Sequence, residues 1–177
     1  MTDPAYLSLI DDATRGNRSD VTPLFGNYVA FSALIKDLTD RFDGKTIEVI
    51  AGIDALGFIL GSAIAMRLRI GFLPIRKGGK LPVDADRIDF VDYSGQPKAL
   101  EIRVGAIRSG ARVLVVDEWI ETGAQVQAAI ALIEGQGGTI VGIAAIHMDV
   151  NATSRPLTER YNCQAIETHR SPVREPL

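Results

Sequence analysis

The stretch Arg112–Gln125, RVLVVDEWIETGAQ, constrains the fold of this chain more than any other. It opens with four apolar residues, Val113 to Val116. A short Val-rich run closed by polar residues fits a strand covered on both faces in a parallel sheet. Two acids follow, Asp117 and Glu118, then Trp119, Ile120 and Glu121, and a Thr122-Gly123 turn. From Ala124 the pattern turns helical, with Val126, Ala129, Ile130 and Ile133 on one face. The order is therefore strand, acidic pair, small-residue turn, helix. In open α/β sheets, ligands bind at the carboxyl ends of strands beside helix N-termini. Free N–H groups and the helix dipole favour an anion there, commonly a phosphate. Two carboxylates beside such a site can accept hydrogen bonds from the vicinal hydroxyls of a sugar. The pattern implies a phosphorylated sugar held at both ends.

The flanking sequence supplies the rest of an α/β domain. Pro4 to Asp12 reads as a short helix with Asp3 as its cap, and Thr14 to Pro23 as a polar loop. Asn27 caps a helix running to Phe42, with Val29, Leu34, Ile35 and Leu38 as its apolar stripe. Thr46 to Ala51 is the next strand, turning at Gly52 into a helix from about Ala55 to Arg69. That helix is apolar on nearly every side, and Gly57, Gly61, Ser62 and Ala63 let it lie close to the sheet or to a partner subunit. Gly71 to Arg76 reads as a second buried strand, followed by the glycine-rich basic turn KGGKLP. Arg87–Tyr93 and Lys98–Val104 form a hairpin within a mobile flap over about 77–100. Thr139 to Met148 is another apolar strand, and Cys163 to Glu167 a short edge strand in a polar tail. Strands alternating with helices imply right-handed crossovers and a three-layer α/β fold with a mainly parallel central sheet. One domain over 1–177 is expected, with a small hood from about 1–24 and 151–177.

Composition narrows the classes of function. The 177 residues are 46% hydrophobic and 23% charged, which is ordinary for a globular domain. The net charge of −3 and the lack of a basic run argue against a nucleic-acid surface. No apolar stretch reaches membrane-spanning length, and the N-terminus lacks the pattern of a secretory signal. The single cysteine, Cys163, excludes an internal disulfide framework and suits a reducing cytoplasm. Gly52 to Gly61 has no Gly-Lys-Ser/Thr, so a Walker-type nucleotide hydrolase is not indicated. His147 and His169 stand apart in the sequence, where core or surface roles are expected rather than metal ligation.

Four segments, in order, carry a resemblance to a known family. RVLVVDEWIETGAQ resembles the phosphoribosyl pyrophosphate motif of type I phosphoribosyltransferases. GIDALGF, Gly52 to Phe58, resembles that family's pyrophosphate loop. GFLPIRKGGKLP, Gly71 to Pro82, and DVTPL, Asp20 to Leu24, are similar to segments of adenine phosphoribosyltransferases. The resemblance implies a purine-type enzyme that moves a 5-phosphoribosyl group from phosphoribosyl pyrophosphate to a nucleobase, adenine-like in the first instance. It implies Asp117 and Glu118 on the ribose hydroxyls and on Mg2+, and Glu121 to Gln125 around the 5′-phosphate with Thr122, Gly123 and Ala124 in the cradle. It places Asp54, Ala55, Lys77 and Lys80 beside the pyrophosphate, and Arg18 and Trp119 near the base. It further implies a homodimer, with the helix Ala55–Leu68 as part of the interface.

The chain also departs from that pattern. Leu56 stands where the subfamily carries Arg, removing one charge-assisted contact of roughly 1.5–3 kcal/mol. The phosphate loop reads Glu-Thr-Gly-Ala-Gln in place of Ala-Thr-Gly-Gly-Thr, and Ala124 restricts the backbone where glycine had freedom. Glu118 replaces an Asp, and Arg18-Ser19 occupy the places of Phe-Arg beside the base. Glu121 next to a dianion would repel it. An acid at this place in hypoxanthine-guanine phosphoribosyltransferases instead serves the purine's imidazole nitrogen, which makes Glu121 a general-base candidate. Asp92, preceding Tyr93 in the flap, is the second candidate. Two functions stay open at this point: a phosphoribosyltransferase, or a homologue without turnover that senses a nucleotide or phosphoribosyl ligand.

Overall fold

The computed structural model describes residues 4–15, 18–92 and 94–169. Ala5–Leu9 is a 3-10 helix, and the expected Asp3 cap lies outside the described residues. Two helices follow, α1 (Thr22–Phe25) and α2 (Tyr28–Asp40). Asn27 caps α2 by accepting a hydrogen bond from the Ala30 N–H. Then come β1 (Val49–Ile53), α3 (Leu56–Leu68) and β2 (Gly71–Lys77). The hairpin is β3 (Ala85–Val91) and β4 (Pro97–Arg103). The opening motif is β5 (Arg112–Val116), a short β6 (Trp119–Ile120) and α4 (Ala124–Gly135). The chain continues through β7 (Thr139–Asp149), α5 (Arg155–Arg160) and β8 (Cys163–His169).

These strands make one sheet of order β3-β4-β2-β1-β5-β7-β6, with β8 on β7. Pairing is parallel throughout except at the hairpin and its junction with β2. Val113 to Val116 have no solvent exposure, as a strand covered on both faces requires. One core packs α4 and the hairpin against the sheet, and the other packs α2, α3 and the N-terminal segment against its opposite face. The three-layer architecture is the one expected.

Several local expectations need correction. β1 begins later than Thr46 and runs through Gly52 rather than turning there. Gly52 serves close packing instead, since a Cβ on it would lie 2.5 Å from the Gly57 carbonyl oxygen. β2 is not a buried strand: within it only Ile75 is buried, and beyond β1 it is flanked by β4 only at its last two residues. Val29 lies 75% exposed and Ala30 takes its place in the α2 stripe. In the tail after Asn151, α5 carries the buried Leu157, and β8 is the expected edge strand beside β7, beginning at Cys163 and running two residues past Glu167.

β1 and β5 pair in parallel, so their carboxyl ends lie side by side, and α3 packs across them. A Cβ on Gly57 would fall 2.6 Å from the Val116 carbonyl oxygen and 3.2 Å from the Asp117 Cα. The helix thus rests its first turn on the backbone that carries the acidic pair, which only glycine permits. Gly57→Ala is expected to push α3 off the strand end and to cost about 1–3 kcal/mol. Urea unfolding measures this; an unchanged midpoint would show that the close approach is not needed.

Candidate functional site

β5 ends at Val116, and Asp117 and Glu118 follow with 6% and 5% exposure. The Asp117 carboxylate accepts from the Glu118 N–H at 2.8 Å and from Gln125 Nε2 at 3.0 Å. Burial dominates both acids. It raises Asp117 to about 6, against the lowering effect of those two hydrogen bonds and of Arg18 and Lys77. It raises Glu118 to about 7, with Arg18 opposing and Asp117 and Glu121 adding to the rise. Two buried oxygen donors that resist ionisation are a fitting pair for a hard divalent cation, which would stabilise their charged forms.

The turn after them is built for close approach. Gly123 takes a left-handed conformation, φ 78°, before α4 begins at Ala124. α5 underlies it, because a Cβ on Gly123 would meet Leu157 Cδ1 at 2.6 Å. Asn151 Nδ2 donates to the Glu121 carbonyl at 2.9 Å, tying the loop to the segment after β7. The Thr122 hydroxyl accepts from the Ala124 N–H at 3.4 Å. Arg18 Nη2 meets Glu121 Oε2 at 2.8 Å, joining positions 103 residues apart. Glu121 therefore has a cationic partner, and Arg18 enters the site through that acid.

These groups share a cavity of about 490 Å³ between the loop and the hairpin. Asp117, Glu121, Thr122, Gly123 and Gln125 line one side, with Arg18 and Trp119 beside them. Lys77 and Asp92 line it from the β2 and hairpin side. Glu118, Ala124, Asp54, Ala55 and Lys80 lie outside that lining. Gln125 spends its amide on Asp117, so it orients the acid in this state. Asp92 is engaged in its own turn, accepting from the Ser94 N–H and hydroxyl and from the Gln96 N–H. Burial opposes its ionisation, but those hydrogen bonds outweigh burial and hold its carboxyl below the usual range. Its neighbour Tyr93 lies outside the described residues. Asp54 sits at the end of β1, where a cis peptide joins it to Ala55, and pairs with Arg76 Nε at 3.3 Å.

Some contributors had no sequence signal of their own. Glu101, buried in β4, accepts from the N–H groups of Gly79, Lys80 and Leu81 and so shapes the basic turn. The hydrogen bond from Gly79 leads those that lower its pKa. An acid inside the apolar run ALEIRV was the available clue. His147 and His169, isolated in sequence, are neighbours in space: their rings stack with centroids 5.8 Å apart. The parallel register of β7 and β8 brings them together, which sequence spacing cannot convey. Trp119 packs on His147, ring centroids 4.6 Å apart, while its indole N–H donates to Asp149.

Both the sequence and the fold are matched among known proteins. The phosphoribosyl transferase domain family matches residues 27–176, and the chain belongs to that family. Within it, the chain is similar to adenine phosphoribosyltransferases. It is 39% identical over 142 residues to that of Sorangium cellulosum, covering 80% of this chain and 70% of the relative. It is 44% identical over 127 residues to that of Maricaulis maris, covering 72% of each. The crystal structure of the adenine phosphoribosyltransferase from Thermoanaerobacter pseudethanolicus superposes with a TM-score of 0.84 at 28% identity, covering 92% of this chain and 97% of that one.

The raised acids carry a stability cost with a defined sign. Asp117 ionises near its ordinary 3.8 when unfolded and near 6 when folded, so its penalty is absent at low pH and complete above about 6. Asp117→Asn is therefore expected to stabilise the metal-free protein near pH 8 by something on the order of 1–3 kcal/mol, the gain vanishing near pH 4. Thermal unfolding at the two pH values tests this; a gain that persists in acid would show that burial of the charge is not its origin.

Proposed function

We propose that the chain transfers the 5-phosphoribosyl group of phosphoribosyl pyrophosphate to a purine base in nucleotide salvage, with adenine as the first substrate to test. The observation that carries this reading is the joint placement of the buried acids Asp117 and Glu118 with the Gly123 turn at the start of α4. The family and the named relatives support the same reaction. In the proposed complex, the amides of residues 121–125 hold the 5′-phosphate at the α4 N-terminus. Asp117 and Glu118 orient the ribose hydroxyls and hold Mg2+, whose chemistry is to neutralise charge on sugar and pyrophosphate. Lys77 and the basic turn around Lys80 attract the leaving pyrophosphate, with Asp54 and Ala55 at its loop.

The reaction breaks the bond from C1′ to the pyrophosphate oxygen, which leaves with the electron pair. The purine imidazole nitrogen supplies the pair for the new C–N bond and loses its proton. We assign that proton to Glu121, which faces the cavity and is oriented by Arg18. Trp119 forms part of the wall against the base. The proposal extends to a homodimer through α2 and α3, whose Tyr28, Val29 and Met66 are mostly exposed.

Mixing phosphoribosyl pyrophosphate, Mg2+ and a panel of bases should release pyrophosphate with adenine, and EDTA should stop it. Binding of phosphoribosyl pyrophosphate without release from any base would overturn the enzyme and establish a sensor. Glu121→Gln is expected to lower kcat by about 10²-fold or more while leaving the KM for phosphoribosyl pyrophosphate within a few-fold. A large rise in that KM with kcat intact would assign Glu121 to binding instead.

A further inference from the structure

We propose that His147, Glu167 and His169 form a binding site for a divalent transition-metal ion of the zinc class, separate from the phosphoribosyl site. The register of β7 and β8 sets His147 opposite Glu167, and Asp149 opposite His169 two residues on. One ligand atom from each of His147, Glu167 and His169 lies within 4.8 Å of the other two. The position of His147 is the second, independent observation. It is 1% exposed, yet among the described residues neither ring nitrogen makes a hydrogen bond. Its Nδ1 stands 3.1 Å from Glu167 Oε2, near in distance but without hydrogen-bond alignment.

A buried imidazole with idle nitrogens is costly, since it has given up water without replacement. A metal ion would accept the lone pair of one nitrogen and draw in the carboxylate beside it. Two imidazoles and one carboxylate are the donor set of zinc, whereas magnesium prefers oxygen ligands alone. Zinc–nitrogen bonds of about 2.1 Å place tetrahedral ligands roughly 3.4 Å apart. His147 Nδ1 and Glu167 Oε2 already stand 3.1 Å apart, all three ligand atoms lie within 4.8 Å of one another, and the exposed His169 side chain can rotate to complete the set. Trp119, packed on the His147 ring, covers one side of the cluster. Both strands supply ligands, so the ion would pin β8 to β7 and its binding energy would add to folding stability.

Trp119 is the only tryptophan in the chain and packs on the His147 ring, so its emission responds to an ion bound there, and the His169 and Glu167 variants separate that response from one at the cavity that Trp119 also lines. The untagged full chain, held in excess Mg2+ to occupy Asp117 and Glu118, is titrated with Zn2+ by calorimetry and by Trp119 emission. One ion per chain at a Kd of about 10 µM or tighter, with a change in emission, is expected. His169→Ala and Glu167→Gln should each weaken it at least about tenfold, with circular dichroism and phosphoribosyl transfer unchanged. Absence of heat up to about 100 µM Zn2+, or equal affinity in both variants, would overturn the site. His147→Gln, read the same way, decides the matter if either of the other variants fails to fold. Because the readout is metal binding, the result does not depend on whether the chain turns over phosphoribosyl pyrophosphate.

Discussion

The burial of two adjacent carboxylates at the end of β5 is the constraint on which the rest of the site depends. Asp117 and Glu118 are almost without exposure, and desolvation opposes their ionisation. A protein holds such groups only where the surrounding elements leave them no other position. Here α3 rests on the strand end through Gly57, α4 returns Gln125 to Asp117, and the Glu118 backbone is held against β7. The Ile146 and His147 N–H groups both donate to the Glu118 carbonyl, tying the acidic pair to β7 between β5 and β6. The acids are thus held in fixed positions by the surrounding backbone, at a cost in stability.

The turn that follows the acids obeys a different logic. Its loop is shaped by backbone conformation and by remote support, with Leu157 beneath Gly123 and Asn151 on the Glu121 carbonyl. The Glu121 charge is met by Arg18 from the N-terminal segment. At 2.8 Å, with Glu121 mostly screened from water, this pair offsets the negative charge that Glu121 alone would present to the cavity. The two residues are far apart in the chain, and the fold brings them together.

Much of the fold was legible from the sequence because period and burial agree in the central elements. The Val113–Val116 run, the α4 stripe and the small residues of α3 each encode a single packing solution. The periphery was harder to read. β2 and β8 are only partly buried, so their sequences carry no clean alternation. Gly52 resembled a turn residue because glycine serves both turns and close approaches, and only the packing against Gly57 distinguishes them. Within the site, the acids and the turn were visible as a linear motif. Glu101, Asn151 and the Arg18–Glu121 pair were not, since each acts across a long separation.

By itself the sequence determined the strand–acid–turn–helix order, the parallel α/β class and the family, because those rest on local period and on contiguous motifs. Only the tertiary structure decided what each polar group faces. It gave Gln125 to Asp117, Asp92 to its own turn and Arg18 to Glu121. It also joined His147 to Glu167 and His169 through the pairing of two parallel strands. Hydrogen bonding and charge act over a few ångströms in space, whatever the distance along the chain, and folding sets those separations.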